Sequence, residues 1–429
     1  MALTLYRLLK WLLAPVIFVV MLVRVLRGRE DRDLFHERLG QPEAPRPAGP
    51  LLWVHGASVG EVVSHLPVIQ KIREARPELH LLLTTGTATG RKMLERRAPG
   101  LPGSGQALMQ YAPIDTARAA EGFFAHWRPD ASVIMESEFW PELLVRAPKP
   151  VLLNGRISDR SWPKYRKFTW FFRPLLKHFV AVLAQREEDA KRLKALGATN
   201  VQVGGNLKFD AQPLPVDDAL IEKFRTVLQG RPVLVAASTH AGEEERVADL
   251  HRQLVDAVPD LLTVIVPRHP HRGTQAANAA LRATKAVKRR GLGEMPTLGG
   301  PRHTEIYVAD TLGELGLWYR LASCAIIGGS LERIGGHNPL EPLKLGIPTL
   351  CGPHMFNFMD MVPALLQRGL LVQEKSDQAI FNTLKQWLTD PAARTAQSAK
   401  LLQEMPTFGG SSTLAAAVVL AQLPPAPRL

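Results

Sequence analysis

One eight-residue run crowds together groups that could hold a nucleotide: Gly335-Gly336-His337-Asn338-Pro339-Leu340-Glu341-Pro342. It follows an apolar, strand-like stretch from Cys324 to Gly328 and reads as a loop entering a helix. Glycines let the backbone approach a ligand, and a helix N-terminus presents N–H groups and a positive dipole end to a phosphate. Glu341, one turn in, could then grip a ribose hydroxyl pair. A glycine-rich turn with a helix cap would look the same if it stood alone. In the first half of the chain, His55-Gly56-Ala57-Ser58-Val59-Gly60-Glu61 also follows a strand-like stretch and opens a helix. A carboxylate there could act as general base toward an acceptor hydroxyl. The plainer reading is a first-turn glutamate that complements the helix dipole.

Further runs sit in equivalent positions. Glu136-Ser137-Glu138-Phe139-Trp140-Pro141 and Asn206-Leu207-Lys208-Phe209-Asp210 carry charges that could be ordinary surface groups. Lys208 is also a cation suited to charge developing on a leaving phosphate. Pro267-Arg268-His269-Pro270 offers a guanidinium able to make paired bonds to a phosphate. Asp310-Thr311-Leu312-Gly313-Glu314-Leu315 completes the set.

The elements that must position these residues alternate between strand and helix. Leu51 to His55, His80 to Thr84, Ala131 to Met135, Val151 to Asn154 and Val180 to Ala184 read as short buried strands separated by helical segments such as Glu61 to Arg76. That pattern predicts a doubly wound α/β domain. Pro213 and Pro215 interrupt it between Asp210 and Asp218, and alternation resumes with Val233 to Ala237, Leu262 to Val266, Glu305 to Ala309, Ala325 to Gly328 and Thr349 to Cys351. Two such domains in tandem leave a cleft, and ligands favour the carboxyl ends of the strands. The expected organisation is an anchor and basic flank over residues 1–40, a first Rossmann-like domain over 41–210, a second over 211–422, and a Pro-rich tail over 423–429.

At 429 residues, both domains can bury their own core. The two cysteines, Cys324 and Cys351, lie in apolar surroundings far from any CxxC spacing, which excludes a disulfide framework and fits a reducing compartment. The thirteen histidines show no HExxH or comparable spacing, and no pair of aspartates follows a strand, so no metal is expected.

The net charge of +13 calls for an anionic partner. Nucleic acid is the first candidate for a basic chain, but the N-terminus offers a better one. Leu5 to Leu26 is mostly apolar, with Arg7 and Lys10 before the uncharged core from Trp11 to Val23. Arg24, Arg27, Arg29, Arg32 and Arg38 follow it. A cleavable signal would need small residues and a less basic flank. An uncleaved anchor, spanning the bilayer or lying in its interface, is therefore expected in preference to a buried core helix, with the chain after it on the cytoplasmic side. Between Arg156 and Lys177, Arg160, Lys164, Arg166, Lys167 and Arg173 interleave with Trp162, Tyr165, Phe168, Trp170, Phe171 and Phe172. Basic side chains for headgroups and aromatics for the interface make a membrane-surface signature. The same alternation suits single-stranded nucleic acid, but no nucleic-acid-binding signature accompanies it.

Taken together, the runs HGASVGE, ESEFWPELL, NLKFD, ASTHAGEEE, PRHP, DTLGELGLWY, IIGGSL, GGHNPLEP and GPHMFNF resemble the 3-deoxy-D-manno-octulosonic acid (Kdo) transferases of lipopolysaccharide assembly. They extend from about His55 to Phe358 and stand in family order. The resemblance implies a two-domain GT-B glycosyltransferase that inverts configuration, taking Kdo from CMP-Kdo to a lipid A precursor (lipid IVA) at the cytoplasmic face of the inner membrane. By the same resemblance Glu61 is the general base, and Glu136 and Lys208 stabilise the transition state. Pro267, Arg268, Leu312, Gly313, Glu314, Asn338, Pro339, Leu340 and Glu341 contact CMP, and neither a metal nor another cofactor is needed. Gly155 stands where the family suggests alanine, and the loop after Glu142 is short, which bears on acceptor fit. The alternative is another membrane-associated GT-B enzyme on a nucleotide sugar, a lipid glycosyltransferase or an epimerase. A preference for CMP over UDP separates the two.

Overall fold

The computed structural model describes residues 2–27, 30–97, 107–299 and 303–425. Arg29 in the basic flank and residues 426–429 of the tail lie outside them. The chain divides into two compact units, Met1–Ala211 with Phe408–Leu429, and Gln212–Thr407.

The first unit is built on a seven-stranded sheet. In chain order its strands are β1 (Leu51–His55), β2 (His80–Thr85), β3 (Ala107–Tyr111), β4 (Ala131–Met135), β5 (Pro150–Gly155), β6 (Ala181–Ala184) and β7 (Val201–Val203). Every pairing is parallel, in the order β3-β2-β1-β4-β5-β6-β7. The helices that matter below are α1 (Ala2–Leu26), α2 (Val59–Ala75), α3 (Pro141–Arg146) and α4 (Thr169–Leu176). The inner strands read as unbroken apolar runs because both faces of a parallel sheet are covered. Alternate residues of β1 show it: Leu51 and Trp53 join one buried cluster, Leu52 and Val54 the other.

The second unit repeats the plan with β8 (Val233–Thr239), β9 (Leu262–Pro267), β10 (Val287–Arg289), β11 (Ile306–Val308), β12 (Cys324–Ile327), β13 (Thr349–Cys351) and β14 (Val372–Gln373). Its order is β10-β11-β9-β8-β12-β13-β14, again all parallel. Its relevant helices are α5 (Glu243–Leu254) and α6 (Leu340–Leu343). Both cysteines are buried and free, and burial pushes both thiols up to about 12.

The second domain was expected to run to residue 422, but the last helix, α7 (Ser411–Leu420), belongs to the first unit. Its Ala415, Ala416 and Val419 are buried with Val68, Ile69 and Ile72 of α2. Asp210 fixes the return, since its carboxylate accepts from the backbone N–H of Gly410 at 2.8 Å and from that of Ser412. The Phe209 ring also stacks on Phe408, with centroids 4.7 Å apart. An alanine-rich helix carries little periodic signal, so the sequence does not say which sheet it covers.

No single helix among the described residues is long and apolar enough to cross a membrane. Leu3–Leu13 and Pro15–Leu26 would together suffice by length and composition, but they are bent by 56°. The break falls where Pro15 lacks the N–H that would continue the helix. Three of the arginines in and after α1 are held by carboxylates of the first unit. Arg7 pairs with buried Glu142 at 2.6 Å, and Arg24 and the buried Arg38 both pair with Glu30. Of the aromatics after Arg156, Trp162, Tyr165, Phe171 and Phe172 pack against the core, while Phe168 and Trp170 are exposed.

Candidate active site

In each sheet the chain starts in the middle, builds toward one edge and then crosses to the other. The crossings fall between β1 and β4 and between β8 and β12. Ligands of open α/β sheets favour the carboxyl ends of strands at such switch points. Of the runs picked out in the sequence, those after β1, β4 and β12 lie at these two places, and the others follow β7, β9 and β11.

In the first unit, Glu61 follows β1 and Glu136 and Glu138 follow β4. Ser58 caps α2, accepting from the backbone N–H of Glu61 at 3.3 Å. The Glu61 carboxylate turns back over the cap, accepting from the Ala57 N–H and the Ser58 hydroxyl, both at 2.8 Å. The plainer expectation, a glutamate serving its own helix, is therefore realised. It does not exclude chemistry, because burial and then the charges of Glu136 and Glu138 push this carboxyl up to about 6. A base poised near neutrality is both largely ionised and strong enough to take a proton.

Glu136 adopts a left-handed backbone, with φ +51°. That conformation costs a non-glycine residue about 1–2 kcal/mol and is concentrated at functional sites. Lys208 approaches its carboxylate at 3.7 Å. The segment carrying Lys208 is held by Asn154, itself at φ +56°, whose side-chain oxygen accepts from the Leu207 N–H at 3.2 Å. Glu61, Glu136 and Lys208 are thus brought to one end of one sheet.

Sequence reasoning missed two neighbours there. The Thr84 hydroxyl accepts from the Trp53 indole at 2.8 Å and meets His55 Nδ1 at 3.0 Å. The other ring nitrogen, Nε2, faces Glu138 at 3.8 Å. Burial would raise the Glu138 carboxyl, but His55 and a hydrogen bond from the Trp140 indole hold it below the usual range. Glu138 thereby stays charged beside Glu61. His55 and Glu138 both lie in the quoted runs, but no spacing rule singles them out.

In the second unit, Arg268 follows β9, and its backbone N–H donates to the Thr239 carbonyl at the end of β8 at 2.9 Å. The loop after β12 departs from expectation in two ways. First, α6 is only four residues long. Two of the positions that would supply N–H groups are Pro339 and Pro342, and the Leu340 N–H donates to the Asn338 side chain at 3.1 Å. This turn therefore offers fewer free N–H groups to a phosphate than a full helix start would. Second, Gly335 and Gly336, with φ +116° and +77°, are needed by the fold itself. A Cβ would stand 2.3 Å from the Asn357 side chain at the first and 2.2 Å from Met355 Sδ at the second. Asn338 and Glu341 lie side by side, 3.4 Å between amide and carboxylate. Leu312 is exposed, Gly313 has φ +86°, and Glu314 forms a paired ion bridge to Arg290 at 2.9 and 2.7 Å.

The residue holding these loops together is one the sequence reading did not single out. Glu243 is fully buried at the start of α5. One carboxylate oxygen accepts from the N–H groups of His240 at 3.0 Å and Gly329 at 2.7 Å, the other from those of Leu331 at 2.9 Å and Glu332 at 3.4 Å. It ties the loop after β8 to the loop after β12.

A sequence profile described as 3-Deoxy-D-manno-octulosonic-acid transferase (kdotransferase) matches residues 33–211. The 3-deoxy-D-manno-octulosonic acid transferase of Bordetella pertussis is 35% identical over 397 residues, covering 90% of this chain and 91% of that protein. The transferase of Rickettsia bellii is 32% identical over 390 residues, covering 90% and 91%. Among solved structures, a UDP-GlcNAc 2-epimerase from Neisseria meningitidis superposes with a TM-score of 0.59 at 13% identity, covering 87% of this chain and 100% of that one. That likeness speaks for the fold alone. The two relatives span both units, so the chain belongs to the 3-deoxy-D-manno-octulosonic acid transferase family and is a glycosyltransferase that transfers Kdo.

Proposed function

We propose that this enzyme moves Kdo from CMP-Kdo to a lipid A precursor, lipid IVA, by inverting displacement at the cytoplasmic face of the inner membrane. The observation that carries the mechanism is the Glu61 carboxyl, raised to about 6 by burial and by Glu136 and Glu138. Glu61 takes the proton of the acceptor hydroxyl as that oxygen attacks the anomeric carbon. Lys208, beside Glu136, offsets charge in the transition state. Residues 41–210 serve the acceptor and the second unit serves the donor, through Pro267, Arg268, Leu312 to Glu314 and Asn338 to Glu341. Arg268 supplies the fork of donors that suits a phosphate. Cations already present can balance the leaving group's charge, so turnover is proposed to need no metal.

The membrane reading rests on α1. Leu5, Leu8, Leu9, Trp11, Leu12, Val16, Val19 and Val20 are exposed along it. Its first turns are nevertheless fastened to the first unit, with the Tyr6 hydroxyl donating to Asp115 at 2.6 Å and Arg7 paired to Glu142. A helix fastened in this way, and bent at its middle, suits lying in the bilayer interface. Exposed Phe168 and Trp170 extend the apolar face, with exposed Lys164, Arg166 and Lys167 nearby for anionic headgroups.

The donor assignment is tested by calorimetry with CMP and UDP. CMP is expected to bind and UDP to bind much more weakly. Arg268→Ala is expected to weaken CMP binding about 10- to 100-fold, the worth of one charge-assisted contact. Equal affinity for UDP would favour the alternative, a GT-B enzyme acting on another nucleotide sugar. Unchanged CMP affinity in the variant would remove Arg268 from the site.

A further inference from the structure

The second unit holds a pair of imidazoles that the reading above does not use. His240 follows β8 and His337 lies in the loop after β12, the two strands flanking the switch point of that sheet. Their Nε2 atoms are 2.8 Å apart. The rings are parallel within 3°, with centroids 5.1 Å apart. The centroid separation exceeds the nitrogen separation by about a ring's width, so the rings meet edge to edge through one N–H···N bond. His269 stands perpendicular to His240 at 5.9 Å.

That contact fixes the proton inventory. One ring must donate from Nε2 and the other must accept there, so the accepting ring carries its proton on Nδ1. Among the described residues, neither Nδ1 has a hydrogen-bond partner. The neutral pair therefore offers one N–H and one lone pair at its two ends. One added proton makes donors of both ends, and a shift of the bridging proton moves that charge from ring to ring.

We propose that the His240–His337 pair is the proton-accepting part of the donor-phosphate site, neutral when the site is empty and singly protonated when the phosphate acquires its second negative charge. This rests on the donor-site reading above. As the acceptor oxygen bonds to the anomeric carbon, the bond from that carbon to the phosphate oxygen breaks. Its electron pair stays on the phosphate, turning a singly charged diester into the CMP dianion. The acceptor's proton goes to Glu61, and the histidine pair takes a separate proton from solvent.

The surroundings agree. Burial, and then the charges of Arg268, His240 and His269, lower His337 to about 4. Burial also lowers His240, with His269, Arg268 and Arg272 opposing its charge and Glu243 favouring it. An arriving dianion reverses this balance, because it favours the imidazolium and screens Arg268.

The test is titration calorimetry of the full chain with CMP in two buffers of different ionisation enthalpy. At about pH 7.5, CMP arrives as a dianion because its second phosphate pKa is about 6. The wild type is expected to take up about half to one proton per CMP bound. His337→Gln and His240→Gln should each reduce uptake to near zero while still binding CMP, with thermal melts to establish that both remain folded. The methyl phosphodiester of CMP, which has a single charge, should bind without uptake. Binding of CMP to the wild type with no proton uptake, or uptake that survives His337→Gln, would overturn the proposal. No CMP binding at all by the wild type would instead overturn the donor-site reading, and the proposal with it.

Discussion

Glu61→Gln is expected to lower kcat by about 10²- to 10⁴-fold, the usual worth of a positioned proton acceptor. CMP affinity should be nearly unchanged, because the proposed CMP-contacting segments all lie in the second unit. The wild-type pH profile should carry the same signature. The active form is the carboxylate, and its pKa lies near 6, so kcat should be level above about pH 7 and fall about tenfold per unit below the pKa. In the variant that acidic limb should vanish. A capping role alone predicts something different. Losing a cap costs about 1 kcal/mol of stability, and glutamine can still accept from the Ala57 N–H. A variant that is slightly less stable but has near-normal kcat and an intact acidic limb would sink the base assignment.

Glu243→Ala is expected to be the most damaging single change in the second unit. It strips four backbone N–H groups of a fully buried acceptor. Each unsatisfied group costs about 1–3 kcal/mol, and partial relaxation should bring the total to about 3–5 kcal/mol. That is a large share of a typical domain's stability of about 5–15 kcal/mol. Because the freed groups belong to the loops after β8 and β12, CMP affinity should fall more than about tenfold even where the protein stays folded. Glu243→Gln keeps one acceptor oxygen and should lie in between. Denaturant unfolding followed beside CMP titration checks both effects. An alanine variant within 1 kcal/mol of wild type, with normal CMP affinity, would mean that these loops are held by something else.

The ten strands read from the sequence all exist, nearly to the residue. The four it omitted, β3, β7, β10 and β14, are the two edges of each sheet. Three of them are two or three residues long with a polar member, Val201–Val203, Val287–Arg289 and Val372–Gln373, so no apolar run marks them. Edges need less burial than centres, which is why a hydrophobic pattern finds the centre and loses the rim.

The sites were legible to a comparable depth. The runs that follow inner strands gather at the carboxyl ends, since the alternation of strand and helix dictates that placement. What each residue does there was harder to read. The helix expected to meet phosphate is only four residues long, and Pro339 and Pro342 lack N–H groups it would offer. Glu243 and the His240–His337 pair act through contacts between residues 86 and 97 positions apart, and local spacing carries no trace of them. In the sequence Arg7, Arg24 and Arg38 stand only as basic flanks of an apolar segment, which speaks to orientation and not to pairing. Their partners, Glu30 and Glu142, become visible only when the chain is folded.

The central claim is the transfer itself. The most direct measurement is a reaction of the full chain with CMP-Kdo and a tetraacylated lipid A precursor, with EDTA present, read by mass spectrometry. The account predicts product heavier by one or more whole Kdo units, formed without metal. Folded protein that binds CMP but yields no such product would contradict the acceptor or the metal independence, and restoring a divalent cation would tell which.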